Sequence, residues 1–190
     1  GSGFTVPAIA DACAFTDARD GTFYACAVIG TQTWMAQNLN YGTQVNFASG
    51  QVDDGEAEKY CYDDAAAKCP THGGFYTWAE AMALPGSCNS TACSGSITAN
   101  HQGICPAGWH VPSAAEWVTL ATWVDTANAG AANDAGLSLK ATTGWGGSAN
   151  GTDAYDFNGL ATGFLNIGTF QGDGSGAAPT NASYWSAAEA

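Results

Sequence analysis

The sequence predicts an α+β domain with two helices, small antiparallel sheets and long ordered loops, held together by disulfides. Three observations support this fold class: a strand-like aromatic and β-branched run at 23–29, two helix capping boxes beginning at Thr77 and Ser113, and seven cysteines without a CxxC pair. A single domain of 190 residues buries about 70% of its unfolded surface, so we expect one substantial core.

The beginning of the chain predicts consecutive β-hairpins. Residues 14–16 lead into the turn-rich stretch 17–21, which ends in Asp-Gly, and the strand 23–29 follows. Gly30-Thr31 predicts a second turn before another short strand at 33–36.

The first helix is predicted over 77–84. Thr77 and Glu80 have the spacing of a capping box, and Pro85-Gly86 ends the helix. Beyond residue 140 the chain is rich in Gly, Asn and Thr, and we expect long ordered loops with a few short strands there.

The second helix is predicted over 113–128. Ser113 and Glu116 form its capping box directly after Pro112. Apolar residues then recur at the spacing of one helix face: Trp117, Leu120, Ala121 and Val124.

The charge balance excludes two classes of partner. The chain has 17 acidic and four basic residues, a formal charge of −13, and the four cations form no patch. Nucleic acids and anionic membrane surfaces are bound through clustered Lys and Arg, so neither is expected as a partner. No apolar run reaches the roughly 18 residues of a transmembrane helix, so we expect no membrane span.

The cysteine spacing indicates three local disulfides. Cys13 and Cys26 lie on either side of the first hairpin turn, Cys61 and Cys69 bracket one loop, and Cys88 and Cys93 bracket another. Cys105 is then left unpaired or intermolecular, although a Cys93–Cys105 pair is an alternative. Each closed loop is expected to contribute roughly 2–4 kcal/mol.

Several features favour an extracellular or cell-surface location. The chain starts at Gly1, which indicates either a processed start or a Gly1-Ser2 pair added for expression, and its cysteine usage is typical of an oxidising compartment. Three Asn-x-Ser/Thr sequons offer glycosylation sites: Asn89, Asn150 and Asn181.

The sequence contains no motif of a known catalytic centre. It lacks a nucleophile elbow, a P-loop and a Rossmann glycine run, and its three histidines form no zinc pattern. Cys105 with His101 or His110 nearby is the one candidate for a catalytic thiol, but an odd cysteine in a secreted protein more often marks a missing or intermolecular partner. For His110 itself a structural, hydrogen-bonded role is favoured. We therefore expect a protein that is not an enzyme.

A calcium site is the one cofactor site that the sequence suggests. Asp153, Asp156 and Asn158 alternate in a Gly/Asn-rich loop and would supply the hard oxygen ligands that calcium prefers. No Asp-x-Asp-x-Asp-Gly loop is present, and a solvated acidic surface is an equal alternative.

Aromatic residues in the predicted loops suggest a ligand site. Trp145, Tyr155 and Trp185 could stack on the faces of sugar rings. The competing interpretation, which we favour, is that these rings belong to the core of a loop-rich domain.

The order of motifs resembles the Fibrobacter succinogenes major paralogous domain family. The resemblance covers about residues 15–187 and rests on motifs that follow one another in the family's order. These motifs are Asp20-Gly21-Thr22-Phe23-Tyr24, the run Val28–Tyr41, Cys61-Tyr62-Asp63-Asp64, Gly74–Met82, Gly103–Ser113, Glu116-Trp117, Gly136–Trp145, Gly151-Thr152-Asp153, Phe157–Gly163 and Tyr184-Trp185-Ser186-Ala187.

The resemblance implies a C-type lectin-like fold, similar to that of formylglycine-generating enzymes. It implies an N-terminal extension over 1–14 and a family-type domain over 15–190. The copper-binding cysteine pair of those enzymes has no counterpart here, and the family supplies no catalytic residues. Family members usually continue through further strands with a cysteine, so the resemblance implies that last strands are lacking and that their cysteine would be the partner of Cys105.

Two functions follow as expectations. The first is a non-catalytic, extracellular structural or display subunit, a pilus-like filament component that associates with itself or with another surface protein through an unpaired sheet edge. The alternative is a calcium-dependent, carbohydrate-binding adhesion module with a glycan ligand.

Overall fold

The structure is a computed structural model that describes residues 13–127, 134–166, 169–171 and 180–189. The predicted N-terminal extension lies outside the described residues except for Cys13 and Ala14, and so does the predicted helix end at residue 128.

A three-stranded antiparallel sheet opens the described chain. Strands β1 (Ala14–Thr16), β2 (Phe23–Ile29) and β3 (Gln32–Met35) lie in the order β1-β2-β3. Consecutive hairpins were predicted here and are confirmed, with β3 one residue earlier than predicted.

The tight turn between β2 and β3 depends on glycine. Gly30 has a φ of +62°, and a Cβ there would lie 2.8 Å from the ring of Trp123. Both the left-handed backbone and the close approach of the indole therefore require a residue without a side chain.

The described residues contain four α-helical segments, two more than the sequence predicts. They are α1 (Cys69–His72), α2 (Trp78–Ala81), α3 (Ala114–Ala127) and α4 (Asp134–Leu139). Helix α2 is shorter than the predicted 77–84, because Ala83 adopts a φ of 50°. The additional segments α1 and α4 span only four and six residues, too few to show a hydrophobic period.

Two further pairs of short strands lie in the loop-rich parts. Strands β4 (Thr43–Gln44) and β5 (Glu58–Lys59) pair in parallel, whereas β6 (Phe164–Asn166) and β7 (Thr169–Gln171) pair antiparallel. The expectation of antiparallel sheets alone is therefore wrong for β4 and β5. The 13 residues between these strands allow the crossover that a parallel pair needs. The result is a mixed domain of small sheets, few helices and three disulfides.

Two clusters of side chains, one mixed apolar and one aromatic, form the interior. The first, called the helix-side core below, lies between α3 and the first sheet; its members are Ala27, Ile29, Trp34, Leu120, Val124 and Phe157. The second, called the loop-side cluster below, lies among short strands and loops; its members are Phe47, Tyr60, Tyr62, Phe75 and Phe170.

None of the helices described is long and apolar enough to span a membrane.

Candidate functional site

The structure contains three disulfides at the pairs that the loop spacing indicated. Cys13 is bonded to Cys26, Cys61 to Cys69 and Cys88 to Cys93, with Cα–Cα distances of 4.9, 5.0 and 5.6 Å. Because Cys93 pairs with Cys88, the alternative Cys93–Cys105 pair is not formed.

Cys105 is the free cysteine of the described residues, and it lies half-buried. Burial raises the pKa of its thiol to about 11, against a smaller opposing effect of Arg19. At neutral pH the group is therefore a thiol, whereas the nucleophile in cysteine catalysis is the thiolate.

His110 belongs to a helix cap. Its Nε2 lies 2.9 Å from Oε1 of Glu116, whose Oε2 accepts hydrogen bonds from the backbone N–H and the hydroxyl of Ser113, both at 2.8 Å. Burial alone would raise the pKa of Glu116, but the hydrogen bonds from Ser113 and His110 lower it below its ordinary value. The three residues fix the start of α3, which is a structural task.

The predicted calcium ligands form a tight turn. Asp153, Asp156 and Asn158 all have positive φ, and Oδ1 of Asp153 accepts the N–H of Asn158 at 2.7 Å. The carboxylate of Asp153 thus stabilises the loop through this hydrogen bond. Across the described part of the chain, no three His, Cys, Asp or Glu side chains are grouped as a metal ion would need. Calcium binding stays a prediction.

The three aromatic residues of the predicted ligand site are anchored in different ways. The Trp145 indole donates to the carbonyl of Gly159 at 3.0 Å, and the ring of Tyr155 packs edge-on against Trp123. The Trp185 indole donates to the carbonyl of Tyr76 at 2.8 Å and stays 50% exposed. Of the three, Trp185 lines the groove described next.

The three sequons all lie at the surface. The side chains of Asn89, Asn150 and Asn181 are exposed. Two of them also support loops, since Asn89 accepts the N–H of Ala79 and Asn150 accepts the N–H of Trp145, both at 2.9 Å.

A groove of about 1800 Å³ lies along β3. One wall is β3 with its flanking residues, Thr31–Met35 and Gln37–Leu39. The other walls come from separate parts of the chain, chiefly Tyr76, Trp78, Trp109, Trp117, Tyr184 and Trp185.

The strand at this wall has an unpaired edge. The backbone N–H of Ala36 donates to Ala25 at 2.9 Å, and hydrogen-bonded pairs alternate along an antiparallel ladder. With the β2–β3 register of Trp34 opposite Ala27, the N–H and C=O groups of Thr33 and Met35 therefore point away from β2. Within the described ranges, those groups have no hydrogen-bond partner.

An irregular segment, residues 180–189, already lines the groove's far side. The indoles of Trp117 and Trp78 donate to the carbonyls of Trp185 and Ser186 at 3.3 and 3.0 Å, and Ala187 donates to Pro112 at 2.8 Å. The ring of Tyr184 packs on Trp117 at 5.5 Å. This part of the groove thus holds a peptide chain by backbone hydrogen bonds and aromatic packing.

Comparison with known proteins identifies the family of this chain. A family model described as the Fibrobacter succinogenes major domain matches residues 28–190. The chain belongs to this family. No curated protein and no solved structure matches it. The matched range of the Fibrobacter succinogenes major domain begins inside β2 and includes every wall of the groove.

Sequence reasoning missed the groove. Its walls come from residues more than 100 positions apart, such as Tyr76 and Trp185, and no local pattern reports such a meeting. One signal for the free strand edge was present in the sequence. The predicted strand at 33–36 can pair with the strand at 23–29, and no further strand is predicted next to it in the sequence.

Proposed function

We propose that this protein is a non-catalytic structural or display subunit of an extracellular assembly, and that it associates through a sheet edge. The observation that carries the proposal is the edge of β3, which has no strand partner among the described residues and lies beside a groove lined by apolar and aromatic side chains. Unpaired strand edges are templates for the addition of another strand, and soluble monomers usually cover or shorten them.

The disulfides support the location. Three of them close within 190 residues, and such bonds persist in oxidising environments outside the cytosol. They also stiffen the loops between the short strands, which suits a subunit that must keep its shape in an assembly.

The candidate catalytic groups support a non-catalytic role. The thiol of Cys105 is protonated at neutral pH, and the ring of His110 is engaged by Glu116. The thiol is expected to react with a small disulfide reagent at least tenfold more slowly than free cysteine at pH 7, because its thiolate fraction is smaller. Unfolding in urea should remove the difference.

Negative-stain imaging of native, never-denatured protein tests assembly directly. Ordered fibres, or particles whose mass grows with concentration in sedimentation, are the expected result. A protein that stays monomeric up to millimolar concentration would refute the assembly part of the proposal.

Glycan binding is a second candidate, favoured by one observation. Trp185 is 50% exposed at the groove rim, while its indole N–H is fixed to Tyr76, so its ring is held in place with an open face. Retention on a glycan array that Trp185→Ala abolishes would support this candidate. Retention that requires calcium would also support the predicted site at Asp153; no retention with or without calcium would remove the candidate.

The C-type lectin-like arrangement is also part of the proposal. It is supported by the family membership and by the long loops between α2 and α3. An experimental structure compared with lectin domains tests it.

A further inference from the structure

We propose that the groove along β3 receives residues 1–12 of a second copy of this chain as an added β-strand. The inference rests on the proposed function and names its partner. It makes the contact head-to-tail: each subunit gives its N-terminal segment to one neighbour and takes that of another. A head-to-tail contact leaves a free donor and a free acceptor on every pair of subunits, so it builds closed rings or open chains of subunits according to the rotation between neighbours.

The acceptor side is defined by backbone chemistry. Thr33 and Met35 each present one N–H and one C=O towards the groove, and these groups lack partners among the residues described. An extended segment that pairs with them satisfies four polar groups at once, which is the basis of strand addition. The aromatic walls then bury the apolar side chains of the incoming strand.

The donor side is defined by composition. Residues 1–10 carry no charged side chain, and Phe4 and Val6 have the alternate spacing of a strand that buries one face. Copies with a net charge of −13 repel one another, so contact is favoured where an uncharged segment meets an apolar surface.

The lengths agree. The groove wall from Thr31 to Leu39 is nine residues, about 30 Å of extended chain, and twelve residues reach at most about 40 Å. The remaining two or three residues provide the link to the next subunit.

The position of Cys13 favours a second copy over the same chain. Its disulfide to Cys26 fixes the start of the described chain on the β1 side of β2, and Cys26 in turn lies opposite Met35 of β3. Cys13, to which residues 1–12 are joined, therefore lies at one edge of the sheet while the groove lies beyond the other. Strand spacings of about 4.8 Å put the two positions roughly 14 Å apart, across a face that α3 partly covers.

The test uses sedimentation velocity of the full chain at rising concentration. The donor variant Val6→Asp places a charge in the segment, and the acceptor variant Thr33→Pro removes an N–H that faces the groove while leaving the bonds to β2 in place. Each is expected to weaken association at least tenfold. Two matched controls should associate like the wild type: Thr5→Asp adds the same charge on the opposite face of the added strand from Phe4 and Val6, and Thr16→Pro removes an outward N–H from the β1 edge.

Mixing the two defective variants gives the sharpest result. Thr33→Pro still has an intact donor segment, and Val6→Asp still has an intact groove, so their mixture should form one-to-one dimers although neither variant associates alone. A mixture that stays monomeric overturns the proposal, and so does undiminished association of either variant.

Hydrogen exchange covers the case in which Thr33→Pro does not fold. The amides of Thr33 and Met35 should exchange about a hundredfold more slowly in assembled wild type than in Val6→Asp. Assembled wild type with fast exchange at both amides refutes this inference and leaves the proposed function standing. Slow exchange in a wild type that remains monomeric shows that the chain fills its own groove, which refutes both this inference and the assembly part of the proposed function.

Discussion

In the helix-side core, regular elements bring the apolar side chains together, whereas in the loop-side cluster the rings come from segments with little regular structure. Helix α3 supplies Leu120 and Val124, and β2 and β3 supply Ile29 and Trp34. Backbone polar groups there are satisfied mostly within the helix and the ladder, so burial needs few side-chain hydrogen bonds.

The loop-side cluster satisfies its backbone in another way. Gln51 donates to the carbonyls of Glu58 and Phe75 at 3.0 and 3.1 Å, and the carboxylate of Asp64 accepts the N–H of Phe47 at 2.9 Å. The disulfide between Cys61 and Cys69 closes the segment next to Tyr60 and Tyr62. The comparison teaches that side chains and a covalent bond replace secondary structure where the chain turns too often to form it.

The largest expected effect lies in the helix-side core. Leu120 is 1% exposed, and Leu120→Ala should lower the free energy of unfolding by about 3 kcal/mol, because it removes apolar burial and leaves a cavity. Denaturant unfolding measures the change. On the same helix Val118 is 65% exposed, so Val118→Ala is the control and should cost less than about 0.5 kcal/mol. Equal losses for the two variants would contradict the assignment of this face to the core.

The next effect tests the covalent support of the loop-side cluster. Replacing Cys61 and Cys69 together by Ala should cost about 2–3 kcal/mol and reduce the near-ultraviolet circular dichroism of the clustered tyrosines. The matched control removes the Cys88–Cys93 bond, which closes a comparable loop away from those rings, and should leave that signal intact. Loss of the same signal in both variants would show that the two disulfides support one common unit.

The two regions also differ in how far the sequence predicts them. The hairpins and the apolar face of α3 are local periodic patterns, and both are confirmed. The parallel pairing of β4 with β5 and the meeting of Phe47 with Phe170 depend on residues 15 to more than 100 positions apart. For the candidate site, the cysteine pairs followed from the lengths of the loops that they close. The groove could not be predicted in this way, because its walls include Tyr184 and Trp185, which are far from β3 in the sequence.

An ion pair in the first hairpin turn, outside both regions, should show a pH dependence. Asp17 is 2% exposed and accepts hydrogen bonds from Nε and Nη2 of Arg19 at 2.9 and 2.7 Å, while Nη1 donates to the carbonyl of Ile104 at 2.9 Å. The hydrogen bonds from Arg19 outweigh burial and lower the pKa of Asp17. Asp17→Asn should cost about 2 kcal/mol at neutral pH.

The sign of the pH effect follows from the lowered pKa. The contribution of Asp17 is fully present above its unfolded pKa of about 4 and is lost as the pH falls through the lower folded value. Denaturant unfolding between pH 2 and 7 should therefore show the wild type and Asp17→Asn converging at the acid end. Asp20→Asn, an exposed carboxylate in the same turn, is the control and should keep the wild-type slope. A constant gap between wild type and Asp17→Asn at all pH values would contradict the ion-pair role.

The smallest effect compares the same capping device on the long helix α3 and on the short helix α2. The hydroxyl of Ser113 accepts the N–H of Glu116 at 3.2 Å and begins the 14-residue helix α3; Thr77 accepts the N–H of Glu80 at 3.3 Å and begins the four-residue α2. Ser113→Ala should cost about 1 kcal/mol, because Glu116 also loses the hydroxyl that it accepts. Thr77→Ala should lower the stability by about half as much. The reason is that Oδ1 of Asn89 also accepts the N–H of Ala79, so a second hydrogen bond holds the start of α2. Thermal unfolding of both variants measures the ratio, and a larger loss for Thr77→Ala would mean that α2 depends on its cap more than on its surroundings.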